Sequence, residues 1–313
     1  MYVEMKGRLG NQFFIYAFSR YISKLTGDEE FVFDFSFIDR KRDELKETTW
    51  EDNLQYFHVK PYKKISCAHR AALDCSTIRQ RIFLYRYWLQ KRICSKSADE
   101  RYALERKMAG RLNQYGIYLA QDRYIEMKPT NSKNIIVTGH FESPQYFQFL
   151  RKELLEEFTP QYAPLPENKK LYDSIRNSES VCVTIRRGDF LRIEAYKKEF
   201  FVCDYQYFKS AMDQLKIKVP NCKFFIFSDD VEWVKENYHF EYPVIYERGC
   251  DPIWEKLRLM YSCKHFIISN STFSWWAQNL SRNEEKIVIA PSRWYNLKKA
   301  SDLLEEHFIK IGV

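Results

Sequence analysis

The sequence predicts an α/β protein with parallel sheets in two domains, and three observations carry that prediction. Apolar runs of strand length stop abruptly on polar residues at 181–190 (VCVTIRRGDF), 222–230 (CKFFIFSDD) and 265–272 (HFIISNST). Helix-like stretches at 231–238, 251–261 and 273–280 alternate with these runs, an order that yields parallel strands covered by helices on both faces. A stretch at 158–167 (FTPQYAPLPE) holds three of the ten prolines and separates this series from an earlier one. It predicts domains at 1–158 and 168–313, joined by a linker at about 159–167.

The 313 residues are 45% hydrophobic, enough for two ordinary cores, and 17% aromatic with nine glycines, which excludes a disordered or low-complexity chain. The opening MYVEMKGRLGNQ enters a strand at 2–5 without a signal-like apolar region or a long hydrophobic anchor, so a soluble, cytoplasmic protein is expected. The turn KGRLG leads into a helix over 11–25. Phe14, Ala17, Phe18, Tyr21 and Leu25 keep helical spacing there, and Asn11 holds the N-cap position. A second strand covers 31–35, followed by a solvated, charge-dense connector or helix at 40–51. Residues 60–111 read as basic, aromatic-rich helices inserted into the βα alternation. A strand at 135–139 delivers His140, Phe141 and Glu142, and beyond the linker a helix near 168–177 precedes the series described above. A strand at 286–290 comes last, before Pro291. The eight cysteines show no CxxC or other tight metal-ligand spacing, so reduced thiols are expected, with Cys182, Cys222 and Cys263 acting as small hydrophobes in or beside apolar runs.

Ligands of open parallel sheets sit outside the carboxyl ends of the strands. The run at 181–185 ends there on Arg186 and Arg187, whose guanidinium groups grip phosphate oxygens in a two-pronged, always-charged way. The run at 222–227 ends on Asp229 and Asp230. The run at 265–269 ends on Ser271 and Thr272 at a helix start, where free backbone N–H groups favour an anion. Together these tips fit a nucleotide diphosphate. The competing structural reading has the arginines pairing with Asp189 or capping a helix. A net charge of +8 raises nucleic-acid binding as a rival function, but no recognised nucleic-acid module is visible and these arginines sit at a strand tip instead of along a surface stripe.

The segments GRLGNQFFIYA (7–17), GHFESPQYF (139–147), TIRRGDF (184–190), FSDD (227–230), SNSTFSWWAQNL (269–280) and IVIAPSRWYN (287–296) resemble the bacterial α-1,2-fucosyltransferases of glycosyltransferase family eleven. The resemblance spans nearly the whole chain. It implies a GT-B-like fold, two Rossmann-like domains facing across a cleft, with an acceptor-side N-terminal domain and a C-terminal domain for the GDP-sugar. The implied reaction transfers fucose from GDP-fucose to the 2-hydroxyl of a terminal galactoside in a bacterial surface glycan, with inversion. Another GDP-sugar or acceptor on the same fold is the alternative.

The resemblance assigns Arg186 to the β-phosphate with Arg187 in support, and Ser271, Thr272 and Phe273 to the phosphates from their helix start. It assigns Asp229, or failing that Asp230, to guanine N1 and N2, with Gly10, Thr184 and Asp189 completing the donor set. Arg186 and Asn11 are the expected catalytic residues. Gln12, His140 and Glu142 are expected on the acceptor side, and Asp189, His140 and Glu142 are titratable candidates for a base. Thr184 stands where the family usually has a histidine. His140 and Glu142 stand where an aromatic residue and a glutamine are more usual, changes that either tune the acceptor or are neutral. No metal or other cofactor is expected, because the arginine pair already neutralises the diphosphate that an aspartate-held cation would otherwise meet.

The positive charge is localised. Residues 60–111 carry 14 Lys+Arg and 4 Asp+Glu, a larger surplus than that of the whole chain. Ile78, Ile82, Phe83, Tyr85, Tyr87, Trp88 and Ile93 alternate there with Arg79, Arg81, Arg86, Lys91 and Arg92. Such a helix fits peripheral contact with the anionic inner face of the cytoplasmic membrane, where a lipid-pyrophosphate-linked acceptor resides. An ordinary helix with its aromatics turned inward fits the same pattern.

Overall fold

The computed structural model describes residues 1–94, 97–188, 191, 194–297 and 299–313. They divide into two compact units, Met1–Glu157 with Ala300–Asp302, and Phe158–Lys299 with Leu303–Val313. The proline stretch at 159–167 is tied down within the second unit. Arg258 Nη2 donates to the Pro160 and Tyr162 carbonyls, and the Leu165 N–H donates to Glu255 Oε1 at 3.0 Å. A stretch rich in proline is short of N–H donors but keeps its carbonyls, and a buried arginine with several donors gathers two of them into a fixed strap.

The first unit contains β1 (Tyr2–Glu4), α1 (Leu9–Thr26), β2 (Phe31–Asp34), α2 (Ser36–Leu45), β3 (Tyr62–Ile65), α3 (Ala71–Asp74), α4 (Ile78–Cys94), α5 (Ala98–Gln114), β4 (Ile117–Ala120), β5 (Ile136–Gly139) and α6 (Arg151–Glu157). Its strands are all parallel, in the order β3-β2-β1-β5-β4. α1 buries Phe13, Phe14, Tyr16, Phe18 and Ile22 completely, each contributing on the order of 1.5–3 kcal/mol relative to an exposed position. The helix stops at Gly27, whose φ of 75° lets its N–H turn back to the Ser23 carbonyl. It starts two residues before the expected Asn11, because Gly7 (φ 68°) turns the chain early and extended Arg8 takes the N-cap position.

Residues 60–111 are not an insertion. They begin with β3, paired in parallel with β2, and α5 leads directly into β4, so the segment is the crossover from one edge of the sheet to the other. β3 (YKKI) escapes sequence reading because it is an edge strand, where exposed lysines are favoured and no apolar run is needed.

The second unit contains α7 (Lys169–Arg176), β6 (Glu179–Ile185), α8 (Glu194–Phe200), α9 (Tyr205–Lys218), β7 (Cys222–Ser228), α10 (Val231–Asn237), β8 (Val244–Tyr246), α11 (Ile253–Tyr261), β9 (His265–Ile267), α12 (Thr272–Leu280), β10 (Val288–Pro291) and β11 (Ile309–Ile311). The parallel order β11-β10-β9-β6-β7-β8 is that of a doubly wound nucleotide-binding sheet, with two strands laid outward on one side of the first and three on the other. β6 and β7 are buried along almost their whole length, as strands covered on both faces must be. Two parallel sheets flanked by helices make the GT-B-like pair of Rossmann-like units. Strand order reverses between β1 and β5 in the first unit and between β6 and β9 in the second, and ligands of such sheets bind at the reversal.

Candidate active site

On the side of β6 away from the second unit's reversal, the register Ile185↔Ser228 makes the residues that follow β6 and β7 immediate neighbours. Arg186 Nη1 therefore lies 2.7 Å from Asp229 Oδ2, and Asp229 Oδ1 accepts the Arg187 N–H at 2.9 Å. Gly188 makes room for this pair: a Cβ there would fall 2.4 Å from Asp229 Oδ2. Both Asp229 oxygens are thus engaged by the arginine turn, while the Asp230 carboxylate is 48% exposed and 3.9 Å from Arg187 Nε.

Successive side chains at a strand end diverge, and the two arginines separate accordingly. The Arg187 guanidinium lies over the Trp233 ring, and its buried Nε makes no hydrogen bond. Burial lowers its pKa, with Tyr238, Asp230 and Asp229 opposing the shift. Arg187 is a wall of the turn, and Arg186 is the arginine at the tip. Thr184 is buried one residue pair further back. Its hydroxyl accepts the Ser269 N–H (3.1 Å) and donates to the Ile267 carbonyl (3.4 Å), stitching β6 to β9 in place of the expected donor contact. Asp189 lies outside the described residues.

α12 starts beside this tip. Extended Ser271 precedes it without capping it, and Ser271, Thr272 and Phe273 are partly exposed. The preceding loop is held by buried Asn270, whose amide donates to the Phe200 and Trp294 carbonyls, each at 2.8 Å. Sequence reading missed Asn270 in this bracing role, and it missed Glu247 and Lys256. Glu247 Oε1 accepts the Ser228 N–H (3.0 Å) and lies 2.9 Å from Lys256 Nζ, which also donates to the Ser228 carbonyl (2.9 Å). Burial raises the Glu247 pKa against the pull of Lys256. This clamp fixes the end of β7 that presents Asp229. No apolar pattern announces it, because β8 is only three residues long and Glu247 follows in a polar stretch.

At the first unit's reversal, Asn11 Nδ2 donates to Glu142 Oε1 at 3.1 Å, joining the first turn of α1 to the residues after β5. Gly7 permits the approach, since a Cβ there would meet Asn11 Cβ at 2.7 Å. Gly10 is buried inside the first turn. Gln12, expected on the acceptor side, is wholly buried. Its amide donates to the Gly7 and Glu51 carbonyls and accepts the Asn53 N–H, so it is scaffolding. His140 Nδ1 lies 2.8 Å from Gln121 Oε1. Between His140 and Glu142, Phe141 holds a φ of 55° while its ring stacks on Phe18 at 3.7 Å, a left-handed backbone kept in place by packing.

A charged cluster that sequence reading missed sits beneath these residues. Glu4 receives Arg70 Nε at 2.7 Å and Nη2 at 3.1 Å, and Lys6 Nζ lies 3.3 Å from both Glu4 Oε2 and Thr138 Oγ1. Burial raises the Glu4 pKa, but the Lys6 and Arg70 charges and the Thr138 hydroxyl outweigh it and leave the carboxyl below its ordinary range. Burial also pulls the Lys6 ammonium down. Its one sequence signal is a Glu-x-Lys at the end of the first strand.

Comparison with known proteins assigns the sequence to a family. The model described as Glycosyl transferase family 11 matches residues 1–311. An alpha-1,2-colitosyltransferase of Escherichia coli is 34% identical over 182 residues, covering 55% of this chain and 61% of that protein. The O-antigen biosynthesis glycosyltransferase WbnK of Escherichia coli is 30% identical over 137 residues, covering 43% and 45%. Galactoside alpha-(1,2)-fucosyltransferase 1 of Homo sapiens is 27% identical over 147 residues, covering 44% and 40%. The chain thus spans about half the length of the curated relatives it matches. With the family model covering all but its last two residues, this chain belongs to glycosyl transferase family 11.

Proposed function

We propose that the protein transfers L-fucose from GDP-fucose, with inversion, to the 2-hydroxyl of a terminal galactoside in a bacterial surface glycan. One observation carries this reading: the Asp229-braced guanidinium of Arg186 at the carboxyl end of β6, beside the partly exposed first turn of α12. Charge builds on the departing diphosphate as the sugar C1–O bond breaks, and donors fixed in advance at that point lower the barrier. Arg186 supplies two parallel N–H bonds to the β-phosphate, and the first turn of α12 with Ser271 and Thr272 supplies further donors. Asp230 takes the guanine N1 and N2 donors, because Asp229 is occupied by the arginine turn.

The acceptor oxygen attacks the sugar C1 from the opposite side, and its proton passes to Glu142, which Asn11 orients. GDP leaves with the electron pair of the broken bond. Neutralisation by Arg186 removes the need for a cation, so turnover persists in excess chelator.

The α-1,2 linkage in the names of the Escherichia coli and Homo sapiens relatives supports attachment at O2. The colitosyltransferase supports a second reading, in which another deoxy sugar replaces fucose on the same site. We place the reaction in the cytoplasm, on an acceptor carried by a lipid pyrophosphate. A panel of GDP-fucose, GDP-mannose and UDP-galactose with GDP or UDP release as readout, followed by NMR of the product linkage, tests the proposal. It predicts preferential turnover of GDP-fucose and an O2 linkage. A product joined elsewhere, or no preference for GDP-fucose, contradicts it.

A further inference from the structure

α4 buries one side against its own unit. Leu84 and Tyr87 are enclosed, the Tyr87 hydroxyl donates to Glu105 (2.9 Å), Gln80 donates to the Tyr115 and Asn134 carbonyls, and Phe83 stacks on Tyr115 at 4.2 Å. The opposite side is apolar and uncovered. Ile78 is 79% exposed, Ile82 54%, Tyr85 56%, Leu89 58% and Ile93 62%. At ~100° per residue these five side chains fall within roughly 80° of arc, a single stripe along the helix. An exposed stripe of three isoleucines, a leucine and a tyrosine costs solubility unless something covers it.

The charges beside the stripe identify what covers it. By the same helical geometry, Arg79 and Arg86 border it on one side and Arg81 and Arg92 on the other, and all four are exposed. The 17-residue helix contains no aspartate or glutamate. A second copy docked on this face would set arginines against arginines with no carboxylate on either helix to pair them. A lipid surface with anionic headgroups meets both features at once: the stripe enters the acyl boundary and the arginines reach outward to phosphates on both sides. About 25 Å of helix would then lie in the plane of the interface.

We infer that the exposed face of α4 docks the protein on an anionic phospholipid bilayer. This inference is independent of which sugar is transferred, since none of these residues belongs to either strand-order reversal. Co-sedimentation with vesicles of phosphatidylcholine alone, and of phosphatidylcholine with phosphatidylglycerol, tests it. Binding is expected to require phosphatidylglycerol and to weaken with salt, as exposed charge contacts do. Arg79→Gln with Arg86→Gln should reduce binding roughly 5-fold per arginine. Ile82→Gln with Leu89→Gln should abolish it, with the melting temperature unchanged because both positions are exposed. Equal binding to neutral vesicles, undiminished binding by either variant pair, or a concentration-dependent dimer broken by the Ile82→Gln and Leu89→Gln pair in a protein that ignores anionic vesicles would overturn the inference.

Discussion

Asp229 accepts from the Arg186 side chain through one oxygen and from the Arg187 backbone through the other, so one carboxylate fixes both the conformation of the turn and the aim of its guanidinium. The pair depends on the absence of a side chain at Gly188. Gly188→Ala should displace the Asp229 carboxylate and release Arg186 without disturbing the strands beneath. GDP affinity is expected to fall roughly 10-fold or more, the scale of a charge-assisted hydrogen bond. The melting temperature should move little. Calorimetric titration with GDP beside a thermal scan checks both, and unchanged GDP affinity would remove Asp229 from its bracing role.

Glu142 and Asn11 form the corresponding pair in the first unit. Glu142→Gln keeps the shape of the side chain and removes the proton acceptor, so kcat should drop about 100-fold with donor KM unchanged. Asn11→Ala leaves the carboxylate but frees its orientation, with a smaller expected loss of about 10-fold. Because the two act as one unit, the double variant should be little worse than Glu142→Gln alone. Additive losses in a double-variant cycle would show that they act separately.

His265 gives the fold a pH dependence. Its Nδ1 accepts the Ile287 N–H at 3.1 Å, and its Nε2 lies 3.6 Å from Glu179, beside Lys264. Burial depresses its pKa below 6.5, and the attraction of Glu179 only partly offsets this. The folded value is lower than the unfolded one, so the neutral ring is the form that folding favours. Its contribution is complete above the unfolded value and is lost as pH falls through the depressed folded value. The Glu179 carboxyl is itself lowered, chiefly by Lys264, and titrates beneath that window. The melting temperature of the wild-type protein should therefore decline from about pH 7 to about pH 5 more steeply than that of His265→Asn. Parallel curves would refute the assignment.

The parts of this molecule legible in its sequence are those where an apolar run breaks on a polar tip. β6, β7 and β9 were identifiable because strands buried on both faces need uninterrupted hydrophobic residues, and Arg186, Asp229 and Ser271 follow directly. Partnerships across strands were not legible. Nothing local states that Ile185 and Ser228 share a register, so Asp229 read as a base-recognition carboxylate and not as a brace for Arg186. The family resemblance put Thr184 in the donor set, yet its hydroxyl is spent between β6 and β9. β3 and the Glu4–Lys6–Arg70 cluster were hidden for a related reason, since lysines and arginines look solvated in a sequence until the fold brings Arg70 onto Glu4 beside Lys6.

In the proposed reaction Arg186 grips the β-phosphate of a guanine nucleotide. Titrating GDP and GMP into the wild-type protein, Arg186→Lys and Arg186→Ala isolates that contact, because the two ligands differ only in the β-phosphate and any general damage to the turn cancels in their ratio. Wild type should bind GDP roughly 10-fold or more tighter than GMP. Alanine should erase most of that preference, and lysine should restore only a minor part of it, because an ammonium cannot form the two-pronged contact. An unchanged GDP-to-GMP ratio in Arg186→Ala would show that Arg186 does not hold the β-phosphate.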